Sequence, residues 1–95
     1  MNEREAYMDK MHAQIDKVDA RIKELSAKAR NAKADASIEM KHKVDELRSK
    51  RKEIDEKMSS LRDASSDSWG DVKNGFERAW GELKSSVESA ATRFQ

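Results

Sequence analysis

The sequence predicts an all-α protein: one long helix carrying coiled-coil heptads, then a shorter amphipathic helix of eleven-residue repeats folded back on it as an antiparallel hairpin. Three observations predict this. Charged residues make up 41% and hydrophobic ones 36% of the chain, with no proline and three glycines, a balance that suits long helices rather than sheets. Apolar residues recur at heptad spacing from Met8 onward, and an eleven-residue unit recurs from Trp69. Heavily charged chains can stay unfolded, but disordered segments rarely keep apolar residues in strict register, so order is expected.

The long element is expected over residues 1–64. Its seam begins Met8, Met11, Ile15, Val18, Ile22, Leu25, Ala29, Ala32 and Ala36, with gaps alternating between three and four. On the far side, Ala6, Ala13, Ala20, Ala27 and Ala34 recur every seven residues, either as a second packing face or simply as good helix formers in solvent. The seam continues through Met40, Val44, Leu47, Arg51, Ile54, Met58 and Leu61, with extra gaps of four around Met40 that should locally relax a supercoil. Asn31 to Ser37 holds residues that favour turns. The alternating alanines and the absence of Gly or Pro there nevertheless predict one uninterrupted helix from Glu3 to Ala64, about 90 Å long at 1.5 Å per residue. The bulky residues Met8, Met11, Ile15, Val18, Ile22 and Leu25 are then the expected interface with a second copy, giving a homo-oligomer with a dimer favoured.

Residues 65–68, Ser-Ser-Asp-Ser, form the expected turn, and Ser68 with Asp71 resembles a capping box. The second helix, residues 69–95, repeats Trp69-Gly-Asp-Val-Lys-Asn-Gly-Phe-Glu-Arg-Ala79 as Trp80-Gly-Glu-Leu-Lys-Ser-Ser-Val-Glu-Ser-Ala90. Eleven residues are three helical turns, so Trp69, Val72, Phe76, Trp80, Leu83, Val87 and Phe94 share one side and form the expected packing face. The two tryptophans should anchor it.

At Tyr7 to Asp16, at the Ala-Lys-Ala-Asp-Ala run Ala32 to Ala36, and above all at Trp69 to Lys84, the chain resembles a family of small bacterial coiled-coil proteins linked to stress responses, best known from cyanobacteria and proteobacteria. The resemblance covers nearly the whole length. It implies an all-helical, stress-associated protein, and carries no enzymatic mechanism onto individual residues.

The remaining chemistry is sparse. Asp9-x-x-His12 and Glu39-x-x-His42 each set a carboxylate and an imidazole on one helix face, but both histidines fall off the seam, so solvated side chains are expected and neither a metal nor a cofactor is. There is no cysteine, no glycine-rich phosphate loop and no serine beside an evident base, which gives catalysis no foothold. The basic run Arg48-Ser-Lys-Arg-Lys52 is bracketed by Asp45, Glu46, Glu53, Asp55 and Glu56, and with a net charge of +1 nucleic acid is not an expected partner. Arg51, on the seam, should mark a solvent-reachable or register-setting point. No signal-peptide-like stretch or membrane-span window is present, so a cytoplasmic location is the default expectation. The function expected is non-catalytic helical interaction, through self-association or a partner helix. The alternative is a lipid-interface or protectant role for the aromatic face at a membrane surface.

Overall fold

The computed structural model describes residues 2–94 and divides them into three helices, α1 (Glu3–Asn31), α2 (Ala34–Asp63) and α3 (Trp69–Arg93). The single helix expected from Glu3 to Ala64 is corrected to two. Ala32 (φ −81°, ψ 160°) and Lys33 (φ −63°, ψ 154°) are extended and reverse the chain.

The seam itself supplies the physical reason for that reversal. From Met8 the α1 positions advance by three, four, three, four, three and four residues to Ala29; backwards from Leu61, the α2 positions retreat by the same steps to Met40. Reversal between Asn31 and Ala34 sets these mirrored seams face to face and takes both out of water within one chain, whereas a straight helix leaves them bare until another chain arrives. The gaps of four around Met40 therefore mark a fold-back, not a relaxed supercoil. Ser37 fastens the turn, its hydroxyl donating to the Ala29 carbonyl at 2.6 Å and its N–H to the Lys33 carbonyl at 2.7 Å.

The ends of the helices follow local chemistry. The Asn2 side chain accepts from the Glu5 N–H at 2.8 Å, and Glu3 and Glu5 in the first turn of α1, with Lys28 and Arg30 in its last, oppose the helix dipole. At the second turn the Ser68–Asp71 capping box is not used, since Ser68 makes no side-chain cap bond. Ser65 does the work: its hydroxyl accepts from the Ser68 N–H at 3.2 Å and its carbonyl from the Trp69 N–H at 2.9 Å, starting a helical turn that runs into α3.

The core is formed by all three helices. Leu47, Ile54 and Leu61 of α2 meet Phe76, Leu83 and Val87 of α3 with at most 1% of their surface exposed, and Met11, Ile15, Val18, Ile22 and Leu25 of α1 close the third side. The seam expected to hold a second chain is thus occupied inside this one, with Met8 half-buried at its end. Helix α2 packs extensively on both neighbours, and α1 and α3 touch each other more thinly. The molecule measures 51 × 21 × 17 Å, and its radius of gyration of 15.4 Å exceeds the about 12 Å typical of a globular chain this long. It is a short rod.

Candidate interaction site

Where α1 begins, α2 ends and α3 begins, four aromatic rings and two cations form a continuous contact. Arg4, in the first turn of α1, donates to the Leu61 carbonyl at 2.7 Å, which the Ala64 N–H also reaches at 3.4 Å, and to the Ala64 carbonyl, so its charge sits at the negative end of the α2 dipole. Its guanidinium carbon also sits 4.6 Å from the Trp69 ring centroid. Tyr7, one turn further along, meets Trp69 edge-on at 5.9 Å and Phe76 edge-on at 6.3 Å, and Phe76 lies parallel to Trp80 at 6.5 Å. Lys73 caps the outer face of Tyr7, 4.6 Å from its centroid.

The Tyr7 hydroxyl donates to Glu77 Oε1 at 3.0 Å. Burial pushes the phenol well above its ordinary value, and the hydrogen bond to and charge of Glu77 push it the same way. Tyr7 is therefore a neutral donor that pins α1 to α3 where their contact is otherwise thin.

The cluster does not close over itself. Tyr7 and Trp69 stay half-buried beside an open groove between α1 and α3, whose walls also include Glu3, Ala6, Lys10, Gly70, Lys73 and Asn74. A Cβ placed on Gly70 would meet nothing within 4 Å, and the exposed Ala6 likewise adds little bulk to the opposite wall. Groups of both signs flank the aromatic edge.

The remaining candidates lie elsewhere. Of the expected packing face, Phe76, Trp80, Leu83 and Val87 are buried, and Trp69, Val72 and Phe94 half-buried at its margins. Ala79 and Ala90, the closing positions of the two repeats, are buried beside them and belong to that face; their place in the repeat was the available signal. The alanine stripe faces solvent at Ala6, Ala13, Ala20 and Ala34, with Ala27 half-buried. His12 and His42 are exposed, Glu39 pairs with Arg93, and among the described residues no group of three or more His, Asp or Glu is placed to hold a metal. Arg51 is tied to α1 through Asp19, Nε donating to Oδ1 at 2.6 Å and Nη2 to Oδ2 at 3.2 Å, while its Nη1 donates along its own helix to Asp55. Arg48 reaches Ser26 Oγ at 3.2 Å, so two members of the basic run serve the α1–α2 contact. Among the described residues no helix is long and apolar enough to cross a membrane.

No protein-family model, curated protein or solved structure matches this chain.

Proposed function

We propose that this protein is a non-catalytic interaction module that receives a partner helix in the α1–α3 groove, in a stress-associated setting. One observation carries the groove reading: Tyr7 of α1 and Trp69 of α3 remain half-exposed beside Ala6 and Gly70, while Phe76 and Leu83, further along α3, are wholly buried. Large aromatics with one wet edge are the side chains that concentrate binding energy in interfaces, and small residues beside them let a second backbone approach. The partner suited to this surface is an amphipathic helix with a narrow apolar stripe and charges of both signs alongside, to meet Lys10, Lys73, Glu3 and Glu77. The stress association rests on the resemblance at Tyr7 to Asp16, Ala32 to Ala36 and Trp69 to Lys84.

Photocrosslinking tests the groove. A photoreactive residue at Ala6 or Asn74 is expected to give discrete protein adducts in cells, and one at the exposed Ala20 is not. Gly70→Gln, which fills the groove from an open position, should abolish those adducts without lowering the thermal melting point. Equal labelling from Ala20, or adducts indifferent to Gly70→Gln, would refute the reading.

A further inference from the structure

The reversal between α1 and α2 is made by residues that do not require a turn. Ala32 and Lys33 are strong helix formers, and among the described residues none has a positive φ. The N-cap position of α2, Lys33, makes no side-chain cap bond. Tertiary pairing therefore holds the turn closed. In the hairpin, the last carbonyls of α1 and the first N–H groups of α2 lack helical partners; a helix running through residues 32–33 would pair them.

The mirrored seam makes the open form productive. A continuous helix from Glu3 to Asp63 is about 90 Å long at 1.5 Å per residue. Because the steps from Met8 to Ala29 and from Leu61 back to Met40 are the same, two such helices laid antiparallel repeat the hairpin pairing between chains. Each α1 would then occupy on the other copy the place it occupies on its own, with Asp19 on Arg51, Arg4 on the Leu61 carbonyl and Tyr7 on Glu77. Only contacts local to the turn would be lost, and one is identifiable: the Ser37 hydroxyl cannot reach the Ala29 carbonyl when eight residues of straight helix, about 12 Å, separate them.

From these observations we infer that a second copy of this chain is a partner, by exchange of α1 through a hinge at Ala32–Lys33, giving a two-fold dimer around a continuous α1–α2 helix. Such exchange keeps the native contacts and adds helix at the hinge, so concentration decides between the closed monomer and the open dimer. It does not rest on the groove reading, because each half of the dimer rebuilds that groove.

Two hinge variants and a distance measurement on the whole chain test the exchange. Lys33→Pro fits the closed turn, since proline accepts φ −63° and the preceding Ala32 is already extended, but it breaks a helix through the hinge. It should lower the dimer fraction by about tenfold or more while keeping monomer helicity. Ser37→Ala removes a closed-form bond and should raise the dimer fraction several-fold. Sedimentation from micromolar to millimolar concentration reads both. Spin labels on Glu24→Cys and Asp45→Cys, both at exposed positions, in a doubly labelled chain diluted with unlabelled chain, should lie close together in the monomer. In the dimer they should be about 30 Å apart along one helix. A wild-type chain that stays monomeric, a dimer unaffected by Lys33→Pro, or a dimer with the short label distance would each overturn the exchange. None of these outcomes bears on crosslinking from the groove.

Discussion

Individual side chains here act chiefly as ties between helices, and Tyr7 is the one whose state can be read directly. It is the only tyrosine, so tyrosinate absorbance reports it alone. Burial and Glu77 raise its folded-state pKa, so its stabilising contribution is fully present below the unfolded phenol value of about 10 and is lost as pH rises through the folded value. The folded protein is expected to resist tyrosinate formation at a pH where free tyrosine is half ionised, and Tyr7→Phe should flatten the fall of stability in that alkaline range. A titration midpoint at the free-tyrosine value would show that the ring is not held against Phe76 and Glu77. Arg51 plays a comparable part between α1 and α2. Its hydrogen bonds to Asp19, and secondarily to Asp55, raise the guanidinium pKa against the opposing effect of burial, so the only charge on the seam is paired. A seam charge of this kind penalises registers in which Arg51 would face apolar residues without Asp19.

Among the elements, α3 departs most from intrinsic preference, with Gly70, Gly75 and Gly81 inside a 25-residue helix. Packing, not propensity, holds it: Phe76, Leu83, Val87 and Ala90 are at most 1% exposed. None of the three glycines has a positive φ, and an added Cβ meets nothing within 4 Å at any of them. Alanine at Gly75 or Gly81 should therefore raise unfolding stability by about 0.5–1 kcal/mol each, read from denaturant midpoints. A loss of stability at either position would show that α3 does not pack as one continuous helix. Gly70 differs because it borders the groove. There the same stabilisation would come with a narrower passage for a partner.

For the whole molecule, the thin α1–α3 contact and the buried aromatic face bear on the membrane alternative. A lipid surface needs the apolar side of α3, and that side is committed to α2 and α1, with Trp80 only 8% exposed. Neutral or anionic vesicles are accordingly expected to leave tryptophan emission and helicity unchanged. A blue shift with a gain in helix would mean that α3 leaves the bundle, and would favour the lipid-interface role over helix binding. The elongated shape follows from helix length: 25 to 30 residues at 1.5 Å per residue give rods of about 40 Å, too long to make a sphere from three.

Helicity, the two periodicities and the identity of most core residues were legible in the sequence, because a buried stripe must recur at the pitch of its helix. The second turn was legible too, since Ser65 to Ser68 are poor residues for a helix interior. The first was not. Ala32 and Lys33 favour helix locally, and only burial of two mirrored seams against each other reverses the chain there; that mirror symmetry was present in the spacing but acquires meaning only when the halves are paired. Arg4 was invisible for a related reason, as its partners are backbone carbonyls 57 and 60 residues away that any side chain type could carry. Tyr7, Trp69 and Gly70 likewise form a groove only once α1 and α3 lie side by side. The sequence by itself determined which faces must be buried, and tertiary structure decided what buries them, because apolar surface specifies removal from water without specifying a partner.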